Sequence, residues 1–146
     1  MHPEDFRSSK GEMIWVYVFG EIIVGPVGQA AVTLVLKEVC LGIEHRYEMK
    51  FLEIGTDKDH VHFLVQSVPT YSVTKIVRTL KSVTSREIFK RCPQVKKKLW
   101  GGEFWSDGYF ASTVGKHGDE TVIGSYVKNQ GQEYQQLYNG QQAGLF

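Results

Sequence analysis

The chain has 146 residues, a net charge of +1 and an apolar share of 42%, enough for one domain with its own core and too little for a second of ordinary size. It has no apolar run of roughly 18 residues, and Met1-His2-Pro3-Glu4-Asp5 is too polar for a secretory leader, so a cytoplasmic protein with no membrane partner is expected. Cys40 and Cys92 stand far apart without C-x-x-C spacing, which indicates neither a disulfide framework nor a zinc knuckle; both read as reduced packing or surface residues.

In chain order, residues 1–12 read as flexible, and Met13 to Val24 as a buried strand rich in β-branched and aromatic residues, interrupted at Gly20-Glu21. Pro26 suits the first turn of a helix running to about Gly42, with Val27, Ala31, Leu34, Val35 and Val39 as its core face. Glu44 to Ile54 reads as a strand, Gly55 to Lys58 as a hairpin turn, and His60 to Gln66 as a second strand. Alternation puts Val61, Phe63 and Val65 on one side of that strand and His60, His62 and Leu64 on the other.

Ser72 opens a helix to about Arg91, with Val73, Ile76, Val77, Leu80, Val83 and Ile88 as an apolar stripe. A loop from Leu99 to Trp105 leads into a fourth strand near Tyr109 to Val114. Gly115 and Gly118 bracket a joint, and Asp119 can cap a last helix, roughly Glu120 to Gln130. Residues 132–146, rich in Gln and Gly, read as a mobile C-terminal tail. The order β-α-β-β-α-β predicts an α+β domain over residues 1–131, a ferredoxin-like split β-α-β unit whose four-stranded antiparallel sheet carries two helices on one face, followed by the terminal helix. That fold serves many functions and names none.

Three groups of residues could carry chemistry. Between positions 75 and 98, nine cations face the single acid Glu87, and Lys75, Arg78, Lys81 and Arg86 lie off the apolar stripe. This is either a solvated helix face followed by a lysine-rich loop, or a track for nucleic-acid phosphates. His60 and His62, two apart on a strand, project from one face and can share a metal, although such pairs are often structural; Asp59 either orients a histidine or caps the turn. On the last helix Tyr126 and Gln130 are spaced i, i+4 and emerge one turn apart. A tyrosine hydroxyl can attack a DNA phosphate, and an amide carbonyl can join a metal beside it; alternatively Tyr126 packs with Val122 and Val127 while Gln130 is solvated.

These segments resemble the HUH single-tyrosine transposases of the insertion sequence 200/605 group and their relatives associated with repeated extragenic palindromes. Asp59-His60-Val61-His62-Phe63-Leu64-Val65 looks like the family's D-H-V-H-x-L-V strand, and Leu80-Lys81-Ser82-Val83-Thr84-Ser85-Arg86 is similar to its L-K-G-x-S-[AS]-R helix. Trp105-Ser106-Asp107-Gly108-Tyr109-Phe110 with Thr113-Val114-Gly115 looks like its W-s-x-G-Y-f…T-V-G strand, and Tyr126-Val127-Lys128-Asn129-Gln130 like its Y-[IV]-x-x-Q helix. The resemblance spans about residues 25–131 in family order.

It implies that Tyr126 attacks single-stranded DNA marked by a hairpin, leaving a 5′-phosphotyrosine, and that His60, His62 and Gln130 hold a divalent metal. Mg²⁺ favours oxygen ligands, and Mn²⁺ tolerates the imidazoles better. It also implies a homodimer in which Tyr126 of one subunit completes the histidine site of the other, for which the glycines of Gly115 to Gly118 offer a hinge; a helix that folds back would assemble the site in cis instead. Trp100, Phe104, Trp105 and Tyr109 are candidates for base stacking or for core. One stretch departs from the pattern: Val18-Phe19-Gly20-Glu21-Ile22 carries an acid where relatives carry a basic K-Y-R. That departure leaves open a DNA-binding descendant without activity. A rolling-circle initiator or relaxase would use the same histidines but bring further domains, and a histidine-triad hydrolase would need a histidine where Leu64 stands.

Overall fold

The computed structural model describes residues 13–23, 26–57, 59–99, 103–113 and 135–140, with backbone alone for 26–31 and 98. Its elements are β1 (Ile14–Ile22), α1 (Pro26–Arg46), β2 (Met49–Asp57), β3 (His60–Ser67), α2 (Val73–Arg91), α3 (Pro93–Lys98), β4 (Trp105–Thr113) and β5 (Gln135–Asn139). The strands form one five-stranded sheet in the order β4-β1-β3-β2-β5, antiparallel at every described pairing. The expected α+β ferredoxin-like architecture is present, with the crossovers between β1 and β2 and between β3 and β4 made by helices that share a face.

That face holds the core. Val16, Val18 and Ile22 of β1, Phe51 and Ile54 of β2, and Val61, Phe63 and Val65 of β3 pack against Val32, Leu36, Val39, Cys40 and Ile43 of α1 and Ile76, Val77, Leu80, Val83 and Ile88 of α2. The α2 stripe is as its spacing predicts, and Ser72 caps it by accepting the Lys75 N–H at 3.0 Å. On α1 the expected Val39 is buried and Val35 packs against the core, but Val32 and Leu36 also face inward, while Leu34 is 80% exposed. Val27 and Ala31 lie outside the described side chains. Both cysteines are free and buried, and desolvation pushes the Cys40 thiol far above its ordinary range, so it is an inert packing residue.

Four expectations are corrected. The first helix continues through Glu44 to Arg46, and the following strand starts at Met49. Glu44, in the last turn of that helix, accepts the Phe51 N–H of β2 at 2.6 Å, and burial raises its carboxyl above the usual range. Gly55 to Asp57 belong to β2, whose Asp57 pairs with His60, so the connection between the strands is tighter than expected. The lysine-rich segment after Arg91 is a short helix, α3, with Pro93 in its first turn and Val95 buried.

Finally, the tail supplies a fifth strand. β5 pairs with β2, Gly140 N–H donates to Leu52 O at 3.0 Å, and Gln136 Nε2 donates to both oxygens of buried Glu53 at 2.8 Å. The joint at residues 115–118 and the expected helix at residues 120–130 lie outside the described residues.

Candidate active site

The second face of the sheet carries the histidines. In the antiparallel register of β1 with β3, Glu21 stands opposite His60, Phe19 opposite His62 and Tyr17 opposite Leu64. Alternation therefore puts Tyr17, Phe19 and Glu21 on the same side as both imidazoles. A bulge between Phe51 and Glu53 turns Leu52 to this side, where it joins Trp15, Tyr17 and Leu64 in a small apolar cluster with Phe19 packed against it.

Each imidazole is held at its Nδ1. His60 Nδ1 lies 2.9 Å from Asp59 Oδ1, and His62 Nδ1 lies 2.6 Å from the Tyr17 hydroxyl. Phe19 fixes both rings from below: its centroid is 4.6 Å from that of His60 at an interplanar angle of 14°, and 4.7 Å from that of His62 at 58°. Because a carboxylate only accepts, His60 bonded to Asp59 carries its proton on Nδ1 and presents the Nε2 lone pair outward. His62 keeps its lone pair on Nε2 when its Nδ1–H donates to Tyr17 Oη, and that nitrogen is buried. An outer oxygen that sets tautomer and ring orientation is the usual companion of a metal-binding histidine.

Two imidazoles on one strand face are a donor pair that a divalent metal could use. Among the described residues no group of three or more His, Cys, Asp or Glu side chains gathers with metal-holding spacing. A further ligand has to come from elsewhere, and Tyr126 and Gln130 lie outside the described residues.

Glu21 Oε2 is 3.7 Å from His60 Nε2, so the acid that departs from the expected basic stretch borders the histidine face. A cavity of about 300 Å³ opens there, lined by Phe19, Gly20, Glu21, His60, Ser106, Gly108, Tyr109 and Phe110. Tyr17 and Phe19 are the site residues that motif reading missed. The signal was available in the alternation of Trp15, Tyr17, Phe19 and Glu21 along β1, but only the register with β3 shows which side of it meets the histidines.

Of the basic residues expected on α2, Lys75, Arg78 and Arg86 are exposed, with Lys75 Nζ 4.2 Å from the Tyr71 ring centroid. Lys81 is half-buried and engaged by protein: its ammonium donates to Ser106 O at 2.9 Å and Asp107 O at 3.3 Å and sits 5.4 Å from the Tyr109 ring centroid. It ties α2 to β4. Phe104 and Trp105 are core residues, with Trp105 Nε1 donating to Thr84 Oγ1 at 2.9 Å over Gly20, where a Cβ would meet the indole at 3.1 Å. Tyr109 and Phe110 are the exposed aromatics, and Trp100 lies outside the described residues.

The profile of the IS200-like transposases matches residues 25–130, a span that contains α1, β2, β3, α2 and β4 and both anchored histidines. The chain belongs to the IS200-like transposase family. Its relatives include the ISDra2 transposase TnpA of Deinococcus radiodurans, 29% identical over 119 residues and covering 81% of both chains. The transposase for insertion sequence element IS200 of Salmonella typhimurium is 31% identical over 103 residues, or 70% of this chain and 64% of that protein. A crystal structure of a Deinococcus radiodurans R1 protein assigned as a transposase superposes with a TM-score of 0.56 at 22% identity, covering 81% of this chain and 91% of that one. That likeness supports the fold. Within this IS200-like transposase no helix of the described residues is long and apolar enough to cross a membrane.

Proposed function

We propose that this transposase cleaves and rejoins single-stranded DNA at hairpin-marked element ends, with Tyr126 as nucleophile and His60, His62 and Gln130 as ligands of Mg²⁺ or Mn²⁺. The observation that carries the reading is the pair of imidazoles on one strand face, each anchored at Nδ1 by an oxygen (Asp59 and Tyr17) and braced by Phe19. When bound, the metal would polarise the scissile phosphate and offset the charge that develops on its oxygens.

In the reaction the Tyr126 hydroxyl oxygen forms a bond to phosphorus as its proton leaves. The bond from phosphorus to the 3′ oxygen breaks, and that oxygen takes up a proton as a free 3′-hydroxyl. The 5′-phosphotyrosine keeps the energy of the broken ester, so a second 3′-hydroxyl can reverse the exchange and join a new strand. Asp59 and Tyr17 act as positioning residues, since they hold the imidazoles rather than touch DNA.

The deciding experiment uses labelled oligonucleotides from the DNA flanking the gene, incubated with protein in Mg²⁺ or Mn²⁺ and run on a denaturing gel. The expected result is a covalent adduct with the wild-type chain and none with Tyr126→Phe. Absence of a Tyr126-dependent adduct in both metals would overturn the reading. It would favour the second one, a DNA-binding descendant without strand transfer, which the position of Glu21 beside His60 supports because a carboxylate there opposes a DNA phosphate.

Lys75 and Arg86, exposed on α2, would supply counterion-releasing contacts to the strand. Changing both to alanine is expected to flatten the slope of log affinity against log salt by about 1.4, at roughly 0.7 per single-strand phosphate contact. Lys81 is left in place because its removal would unpin β4. An unchanged slope in fluorescence anisotropy titrations would return this helix face to simple solvation.

A further inference from the structure

A cleft of about 520 Å³ separates α2 from β4, on the side of the sheet opposite the histidines. Resting on the single-stranded DNA reading above, we propose that this cleft receives one unpaired base of the strand being cleaved, with Tyr109 as its stacking wall and Arg78 as its hydrogen-bond donor.

The volume lies within the roughly 300–1,000 Å³ of sites that enclose small molecules and suits a nucleotide. Tyr109 is 49% exposed, and the Lys81 ammonium, held by the Ser106 and Asp107 carbonyls, lies against its ring and stiffens the wall. Arg78 and Ser82 line the α2 side of the cleft, while the Ser85 hydroxyl donates to Lys81 O at 2.7 Å. Glu103 and Asp107 also line the cleft and bring two acidic side chains to it. Two acids make a poor seat for a phosphate and good acceptors for an exocyclic amino group, so the chemistry selects adenine, cytosine or guanine over thymine. An aromatic wall with mixed donors and acceptors recognises a base; a backbone track would be uniformly cationic.

The cleft also communicates with the histidine side. Ser106 and Tyr109 line both it and the cavity beside His60. Alternation on the edge strand puts Tyr109, paired with Gly20, toward the cleft and Phe110, paired with Phe19, toward the histidines, where it meets Tyr17 edge-on at 6.3 Å. A single strand crossing β4 would thus place a base in the cleft and a neighbouring phosphate at His60.

The test is abasic scanning. Hairpin oligonucleotides from the element ends, each lacking one base of the single-stranded flank, are titrated by anisotropy against wild-type protein and Tyr109→Ala. In the wild type one position is expected to lose about 5- to 100-fold in affinity. Tyr109→Ala should show a similar loss on intact DNA and no further loss at that position, and Tyr109→Phe should bind as wild type. Ser82→Trp, which fills the cleft from an exposed helix position, should reproduce Tyr109→Ala without removing the wall. Equal abasic penalties in wild type and Tyr109→Ala, or wild-type affinity in both Tyr109→Ala and Ser82→Trp with unchanged melting, overturns the proposal. If the wild-type chain forms its Tyr126 adduct while no position couples to Tyr109, the cleft alone is refuted. If it binds none of the hairpins, the functional reading falls first and the cleft with it.

Discussion

Replacing both His60 and His62 by alanine is expected to bring Tyr126-dependent adduct formation to background and to weaken Mn²⁺ binding by more than about 100-fold, beyond what loss of an outer partner alone produces. The reason is that the described site offers two imidazoles anchored at Nδ1, and the other acids nearby do not gather into a three-ligand group with them. Removing the anchors should give a graded result: Tyr17→Phe and Asp59→Asn are each expected to cost about 10- to 100-fold in Mn²⁺ affinity while both ligands remain. Electron paramagnetic resonance titration of free Mn²⁺ measures the affinities, and the gel assay measures the adduct. His62 is only 3% exposed, so its removal leaves a gap beside the Tyr17 hydroxyl, and thermal melting has to show that the variants are folded. Retained metal affinity in the double-histidine variant would mean that the metal sits elsewhere or nowhere. Retained affinity in Tyr17→Phe alone would reduce that contact to packing.

The parts of this fold legible in the sequence are those whose burial repeats with a period. The α2 stripe from Ile76 to Ile88 and the Val61, Phe63, Val65 edge of β3 bury as their spacing requires, because each faces a single core. Helix α1 was less legible: of the face read by spacing Val35 and Val39 pack on the core, but Leu34 turns to solvent and Val32 and Leu36 take the buried places beside them. Strand β5 has no alternation to read. Gln135 to Asn139 is held by main-chain pairing to the β2 edge and by amide hydrogen bonds to Glu53, with only the adjacent Leu137 and Tyr138 packing on the core, a pair that shows no strand period. The same limit applies at the site. The H-x-H spacing showed that two histidines share a face, but Tyr17, Phe19 and Glu21 join them only through a cross-strand register that connects residues some forty positions apart.

A mixture of two inactive chains, one His60→Ala/His62→Ala and the other Tyr126→Phe, is expected to regain cleavage after co-refolding if the transposase is a homodimer whose tyrosine serves the partner's histidines. In such a heterodimer one of the two composite sites is wholly wild type, so activity should return to about half that of the wild-type dimer per site pair; the other site lacks both the histidines and the tyrosine hydroxyl. The motivation is the pair of glycines at positions 115 and 118, between β4 and the segment that carries Tyr126, which permit backbone conformations a hinge needs. Cis assembly predicts the opposite, because each chain of the heterodimer would then lack one half of its own site. Differently tagged subunits and tandem purification isolate the heterodimer, and the adduct gel shows which chain carries the DNA. In the trans arrangement the label appears only on the chain that lacks the histidines, since that chain alone keeps Tyr126. Verified heterodimers that stay inactive beside active wild-type dimers would leave cis assembly as the arrangement of the site.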